Sequence, residues 1–461
     1  MVTGPPVPVT SFQDELGALA QAVSGVAAPQ VPTAGYMPPV PQSLEDTGLT
    51  HSMLEQLILK TVHFRGEIVG RELANCLGLR YSLIDPVVDQ LKRHRLIEVK
   101  GSLGYGNISA VFTLSEAGRL RAREHLAVNQ YCGAAPVPIA QYAQAVRAQR
   151  QPSGWVTKEA LRAAYRHMVI SERVLYQIGP AVNSGKSFLI YGQAGNGKTY
   201  MAEALVNLIN SYVYLPHALE CQGVIIKLFD PVYHPRAPEN EEWQNSLAFE
   251  RPHDGRWVLC RRPFIVTGGE LTLDMLDLSY NPAAKIYDAP FQLKANNGIY
   301  LIDDFGRQKA TPAEVLNRWI VPMDRHVDYL SFHTGGKVEV PFETFLIFST
   351  NLRPENLGDE AFLRRIQYKM LLRNPNEEEY LEIFRRYCEA ERLEFGEELI
   401  RRFIRRRYHQ TGQPFRRCQP RDIITHAIDL LHFEKLGRNL TDDVLDRAFD
   451  SCFVDSHGLD D

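Results

Sequence analysis

The spacing of apolar residues predicts helices at both ends of the chain and a mixture of strands and helices in the middle. In the stretch "MLEQLILKTV" the apolar residues share one helical face: Met53, Leu54, Leu57 and Ile58. Two further helices are predicted in "GEIVGRELANCLGL" and "SLIDPVVDQLKRHRLIEV". The strand-like "YGNISAVFTL" and the helical "SEAGRLRAREHL" then complete a first unit.

Three helices and a hairpin resemble a winged helix-turn-helix, so we predict such a domain over residues 49–126. Residues 1–48 are rich in Pro, Ala and Gly and contain no Lys or Arg, which predicts a flexible tail. Residues 127–155 include "AAPVPIAQY" and "QRQPSG" and are interpreted as a linker with one short helix.

Strand-like runs then alternate with helical stretches, which indicates an α/β core with a mainly parallel sheet over residues 156–375. The runs cover residues 187–191, 223–229, 299–303, 345–349 and 366–372. Residues 376–461 are helical and would form a lid domain. The predicted fold class is therefore α/β, with an N-terminal winged helix-turn-helix domain and a C-terminal helical lid.

Composition narrows the class of protein without naming its function. The 461 residues are 44% hydrophobic and 23% charged, with a net charge of −4, so there is no overall attraction to nucleic acid or anionic membrane. Seven scattered cysteines, with no Cys-x-x-Cys pair, are typical of reduced thiols in the cytoplasm. No apolar run approaches a membrane span and no signal peptide is evident, so we expect no membrane insertion.

A phosphate-binding loop is the most specific motif. "GQAGNGKT", residues 192–199, fits Gly-x-x-x-x-Gly-Lys-[Ser/Thr] and lies between the strand "SFLIY" and the helix "YMAEALVNLIN". Lys198 would reach the β- and γ-phosphates of ATP, and Thr199 would bind Mg²⁺. The predicted nucleotide contacts are Gly192, Gln193, Ala194, Gly195, Asn196, Gly197, Lys198, Thr199 and Tyr200.

Two adjacent carboxylates end a second buried strand, in "YLIDDFGR". Asp303 would orient the magnesium shell, and Asp304 would act as general base on the attacking water. Asp304 is one methylene shorter than the Glu that is usual there, and a purely structural role is the alternative.

The order of the motifs resembles an AAA+ ATPase over about residues 156–450. "ETFLIFSTNL" is similar to the strand that ends in a polar residue called sensor 1, here Asn351. "QPRDI" is similar to sensor 2, with Arg421 near the nucleotide. "DEAFLRRIQYKM" resembles the helix end that carries an arginine finger, at Arg365 or Arg364. Each has a simpler alternative, since Asn351 could just end a strand and the arginines could be solvated.

Within that superfamily, "GGELTLDMLDL", "APFQLKANNGIYLIDD" and "EAFLRRI" are similar to MoxR-type and magnesium-chelatase-related ATPases. A hairpin is predicted in "DYLSFHTGGKVEVPF". That alignment favours Arg365 as the finger. The departure is Asp304, where the resemblance implies that Glu would support equal or higher activity.

The resemblance implies a homo-oligomeric ring, most often a hexamer, that hydrolyses ATP with Mg²⁺ and remodels a protein partner. A DNA-associated ATPase and a low-turnover scaffold are the alternatives. Residues 49–126 contain 11 Lys or Arg and 8 Asp or Glu, and the third helix opens with Asp85 and Asp89, which disfavours DNA. Two segments stay open: residues 401–421, with eight arginines and no acid, and the irregular residues 230–260.

Overall fold

The computed structural model describes residues 35–152, 154–238, 252–358, 360–435 and 437–452. Its helices are α1 (Leu44–Thr47), α2 (His51–Arg65), α3 (Gly70–Leu77), α4 (Tyr81–Arg93), α5 (Glu116–Val128), α6 (Ile139–Ala148), α7 (Lys158–Ala164), α8 (Glu172–Ser184), α9 (Lys198–Ala204), α10 (Phe291–Lys294), α11 (Pro312–Arg325), α12 (Glu360–Leu363), α13 (Glu377–Ala390), α14 (Glu397–Ile404), α15 (Gln419–Phe433) and α16 (Asp442–Cys452). Its strands are β1 (Glu67–Val69), β2 (Ile97–Ser102), β3 (Ala110–Leu114), β4 (Val137–Pro138), β5 (Phe188–Tyr191), β6 (Tyr212–Pro216), β7 (Ala218–Cys221), β8 (Val224–Lys227), β9 (Trp257–Arg261), β10 (Phe264–Thr267), β11 (Ser279–Asn281), β12 (Ile286–Asp288), β13 (Ile299–Ile302), β14 (Val327–Ser331), β15 (Lys337–Pro341), β16 (Phe345–Thr350) and β17 (Tyr368–Leu371).

A five-stranded parallel sheet forms the centre of the molecule, in the order β10-β13-β16-β5-β17. Its strands are continuous apolar runs because helices cover both faces; all four residues of β13 and all six of β16 are buried. The predicted α/β fold class with a parallel sheet is thereby confirmed. One predicted strand was placed wrongly, since 223–229 contains β8 of another sheet, and β10 takes its place.

Helices α2, α3 and α4 and the antiparallel sheet β1-β3-β2 form the N-terminal unit, followed by α5. The third strand, β1, was not expected from the sequence. The unit has a single buried cluster that includes Leu54, Leu73, Val88 and Phe112, and this cluster extends to Ala218 and Ile225 on the second sheet. The N-terminal unit is therefore in direct contact with the α/β part of the chain.

The flexible tail predicted for residues 1–48 is wrong for residues 35–48, while residues 1–34 lie outside the described part. Helix α1 begins with a capping box at Ser43 and ends at a buried Thr47. The Arg256 guanidinium, 1% exposed, donates to Thr47 O at 2.8 Å and pairs with the buried Asp254 at 2.8 Å. A buried arginine, held by a local ion pair with Asp254, thus fixes through a long-range hydrogen bond a segment whose local composition predicts no packing.

A second sheet, in the order β11-β12-β8-β7-β4, is inserted beside the core, and its edge strand β4 comes from the predicted linker. The predicted hairpin is present as the antiparallel pair β14–β15. Part of the irregular 230–260 segment forms β9, which pairs with β6, and residues 239–251 lie outside the described part. No helix in the described ranges is both long and apolar enough to cross a membrane.

Helices α13 to α16 form one buried cluster around Phe384, Phe403 and Tyr408. Most arginines of residues 401–421 pair with acidic residues inside this lid: Arg401 with Glu378 and Glu397, Arg402 and Arg406 with Asp442, Arg407 with Asp446 and Asp450, and Arg417 with Glu379. These ion pairs fix the shape of the lid rather than presenting a free basic surface.

Candidate active site

The predicted phosphate loop joins the end of β5 to the start of α9. Gly195 and Gly197 have φ of 80° and 79°, a left-handed conformation that glycine adopts without strain. Gly192 N–H donates to Thr350 O at the end of β16, and Asn196 Nδ2 donates to Asn374 Oδ1 at 2.7 Å. The loop is therefore anchored to neighbouring segments at both ends and curves around the start of α9.

Thr199 and Asp303, the two predicted magnesium ligands, lie together. Thr199 Oγ1 donates to Asp303 Oδ2 at 2.8 Å, and Asp303 N–H donates to Thr267 O at the end of β10. Glu203 lies one turn beyond Thr199 on α9, and burial together with the Asp303 carboxylate raises the pKa of Glu203. Mg²⁺ prefers oxygen ligands and needs few from the protein, which these residues supply.

Lys198, Asn351 and Asp304 form a continuous hydrogen-bonded series. Lys198 Nζ donates to Asn351 Oδ1 at 2.5 Å and to Gln193 O at 3.1 Å. Asn351 Nδ2 donates to Asp304 Oδ1 at 2.8 Å. The amide orientation of Asn351 is unambiguous, because an ammonium can only donate and a carboxylate can only accept.

The lysine at the centre of this series is buried, with a relative exposure of 6%. Burial lowers the pKa of Lys198, the Asp304 and Asp303 carboxylates raise it, and the Arg307 and Arg416 guanidiniums lower it. The ammonium thus lies among four charged side chains from two separate parts of the chain, residues 303–307 and Arg416.

Asp304 has a left-handed backbone with φ 48°. Asp and Asn tolerate this region better than longer side chains, because a short polar group can hydrogen-bond locally. Asp304 O accepts from Arg307 N–H at 3.0 Å, which closes the turn after β13. The local conformation therefore gives a physical reason for Asp, rather than Glu, at this position.

The two candidate finger arginines lie away from the phosphate loop of their own chain. Arg365 O accepts from Ser187 Oγ at the beginning of β5, whereas the loop follows the end of that strand. Four strand residues separate the two ends by roughly 13 Å. Arg365 Nε pairs with Asp324 at 3.2 Å, and the exposed Arg364 pairs with Glu360 at 3.0 Å.

The other predicted nucleotide contacts occupy different places around the loop. Tyr200 is 41% exposed and packs edge-on against His167, with ring centroids 5.2 Å apart. Arg421 Nη2 pairs with the adjacent Asp422 at 2.9 Å. Arg416, which sequence reasoning did not single out, instead donates to Ala194 O of the loop at 2.8 Å.

Arg307, Arg416 and Glu203 are the polar residues of this site that sequence reasoning missed. Arg307 stands three residues after Asp304 in the motif "YLIDDFGR", and its position beside the carboxylates was a usable signal. Arg416 is one of eight arginines in residues 401–421, so the sequence offered no way to choose it.

Comparisons with known proteins add a partial match and a distant resemblance. A family described as a domain of unknown function, DUF8689, matches residues 376–451, which cover the lid helices alone. No curated protein matches the chain.

Among solved structures, NtrX from Brucella abortus in complex with ADP is 13% identical to this chain. The match covers 71% of this chain and 64% of the NtrX chain, with a TM-score of 0.38. A RuvB mutant from Thermotoga maritima is 16% identical, with coverages of 68% and 76% and a TM-score of 0.33. This chain thus spans less than two thirds of NtrX. At such low scores, the assignment of function rests on the chain's own sheet and site.

Proposed function

We propose that this chain is an AAA+ ATPase that binds ATP and Mg²⁺, hydrolyses ATP within a homo-oligomeric ring, and remodels a protein partner in the cytoplasm. The observation that carries the proposal is the series Lys198–Asn351–Asp304, with Thr199 and Asp303 beside it. These residues come from the ends of β13 and β16 and from the start of α9, which follows the neighbouring β5, and together they supply the groups that phosphoryl transfer requires.

Each residue of the series has a distinct task in this proposal. The loop N–H groups and Lys198 bind the phosphates, so Lys198 exchanges Asn351 Oδ1 for a phosphate oxygen. Thr199 and Asp303 would hold Mg²⁺, which neutralises phosphate charge when bound. Asn351 holds one oxygen of Asp304 and leaves the other to accept a proton from the attacking water.

The proposed ring is supported by the position of the arginines. Arg365 lies at the opposite end of β5 from its own loop, so a catalytic role requires the active site of a neighbouring subunit. A hexamer with Arg365 rather than Arg364 as the finger is the specific form proposed. The resemblance to MoxR-type ATPases supports that choice of residue.

A protein partner for the N-terminal unit is favoured over DNA by the surroundings of α4. Asn107 Nδ2, from the wing between β2 and β3, donates to Asp85 at 3.0 Å and Asp89 at 3.1 Å. The wing and two carboxylates therefore cover the middle of α4, the helix that would enter a DNA groove. The wing tip carries the exposed Leu103 and Tyr105 and no charge, which suits a protein surface.

Replacing Lys198 by Ala tests the site. We expect Lys198→Ala to lose most ATP affinity and all steady phosphate release, because the charge-assisted contact to phosphate is removed. Lys337→Ala, which changes an exposed lysine on β15, is the matched control and should bind as the parent does. Calorimetry that shows equal ATP binding by Lys198→Ala and the parent would contradict the site assignment.

A further inference from the structure

The lid touches the phosphate loop through residues 415–419, which we call the lid contact segment. Arg416 Nη1 donates to Ala194 O at 2.8 Å, and Cys418 N–H donates to Gly195 O at 2.9 Å. A methyl group added at Gly195 would lie 2.7 Å from Cys418 Sγ, so no side chain fits between the two segments. The lid contact segment is therefore packed directly against the loop that would bind phosphates.

The backbone of Arg416 is held in place by the lid itself. Arg416 N–H donates to Gln419 Oε1 at 2.8 Å, and the same oxygen accepts from Tyr380 Oη at 3.3 Å. Gln419 is 4% exposed, so this support is buried among the lid helices. The guanidinium thus extends toward the loop from a rigid base, which lowers the entropy lost when it binds a ligand.

Arg416 differs from its neighbours in having no acidic partner among the residues that the structure describes. Arg417 pairs with Glu379 at 2.8 Å, and Arg421 pairs with Asp422 at 2.9 Å. Arg416 uses one N–H on Ala194 O, and a guanidinium has five. Its guanidinium bonds to Ala194 O and the Lys198 ammonium bonds to Gln193 O of the adjacent residue, so two positive charges meet the same loop.

Two positive charges that approach each other beside a phosphate loop repel, and a polyphosphate placed between them removes the repulsion. The benefit increases with the charge of the ligand, so a nucleoside triphosphate gains more than a diphosphate. Arg421 is already neutralised by Asp422, so a bound triphosphate gains no comparable affinity from it.

We propose that Arg416 is the lid residue that contacts the terminal phosphates of a bound nucleoside triphosphate, in the place that the sequence assigns to Arg421. This inference rests on the proposed function and names a further binding residue at the same site. Because Arg416 belongs to the lid and Ala194 to the core, the contact makes lid position depend on whether a triphosphate or a diphosphate is bound.

Calorimetric titration of the full-length chain with Mg²⁺ and a non-hydrolysable ATP analogue, ADP or AMP tests the proposal. We expect Arg416→Ala to weaken binding of the ATP analogue by roughly ten- to a hundredfold, as is expected for the loss of a hydrogen bond to a charged group. The same variant should lose less affinity for ADP and none for AMP. Arg421→Ala should lose less affinity for the analogue than Arg416→Ala does. Arg405→Ala, an exposed lid arginine, is the matched control and should bind as the parent does.

Two conservative variants distinguish the effect of the Arg416 charge from the effect of its hydrogen bond to Ala194 O. Arg416→Gln can still donate to Ala194 O but has no charge, so it should lose affinity as Arg416→Ala does, and Arg416→Lys should keep most of it. A Gln variant with parental affinity for the analogue would overturn the proposal, as would a larger loss in Arg421→Ala. If Lys198→Ala binds nucleotide normally, the proposed function itself fails; if Lys198→Ala fails to bind and Arg416→Ala does not, this inference alone is wrong.

Discussion

Lengthening the second aspartate tests the site geometry, because the sequence and the structure lead to opposite expectations. The AAA+ resemblance favours Glu, so from the sequence Asp304→Glu keeps or raises the hydrolysis rate. The structure holds residue 304 at φ 48°, where Asp is tolerated better than Glu. We therefore expect Asp304→Glu to lower both thermal stability and turnover.

The size of the effect follows from the backbone and from one hydrogen bond. A left-handed backbone costs an L-residue roughly 1–2 kcal/mol, and Asp avoids part of this that Glu does not. A difference of about 1 kcal/mol lowers Tm by about 2–4 °C in a unit of this size. In the parent, Asn351 Nδ2 lies 2.8 Å from Asp304 Oδ1. The added methylene of Glu moves the carboxylate by about 1.5 Å relative to Asn351, and such a displacement lowers rates about a hundredfold.

Steady-state phosphate release at saturating ATP and thermal unfolding of the full-length chain measure both effects. Asp304→Asn keeps the backbone preference and removes the base, so turnover should fall by roughly 10²–10⁴-fold at unchanged Tm. Asp274→Glu lengthens an exposed aspartate outside the left-handed region and should change neither quantity. An Asp304→Glu variant equal to the parent in rate and Tm would refute the backbone explanation, and parental turnover by Asp304→Asn would refute the general-base role.

Three further predictions concern the ring, a buried amine and the partner. Mixing Arg365→Ala with Lys198→Ala subunits should restore some turnover at interfaces that pair an intact site with an intact finger, and no recovery in rings shown to mix would argue against action between subunits. Burial lowers the pKa of Lys60 to about 8 from 10.5, so from pH 8 to 10.5 the unfolded state binds more protons and the parent should gain stability relative to Lys60→Met; a pH-independent difference in Tm would contradict this. The full-length chain should bind duplex DNA weakly at physiological salt, because Asp85 and Asp89 place negative charge on α4 beside the wing, and fluorescence titration showing tight, sequence-dependent binding would reverse the choice of partner.

The central sheet is predictable from the sequence because its signals are local. Strands such as β13 and β16 are short, continuous apolar runs, and the phosphate loop between β5 and α9 has a fixed pattern of glycines. The sequence does not show which sheet a strand joins, which is why β8 was expected in the core and lies in the second sheet.

The site was predictable where a motif carries it and not where distant segments meet. Lys198, Thr199 and Asp303 follow from motif order, and the structure brings them together. The contact of Arg416 with the loop joins residues 222 positions apart, so no local pattern reveals it. The left-handed backbone of Asp304 likewise depends on the turn that its neighbours form.

The buried Arg256 also sets an order for events during synthesis. Its guanidinium meets Thr47 O across 209 residues, so at about 5–20 residues per second roughly 10–40 s separate the translation of the two. Throughout that interval the nascent α1 segment has no partner for this carbonyl, and the apolar face that later meets Ala218 and Ile225 is also incomplete. Helix α1 is thus translated well before the residue that fixes it, and its final packing waits for the translation of Arg256.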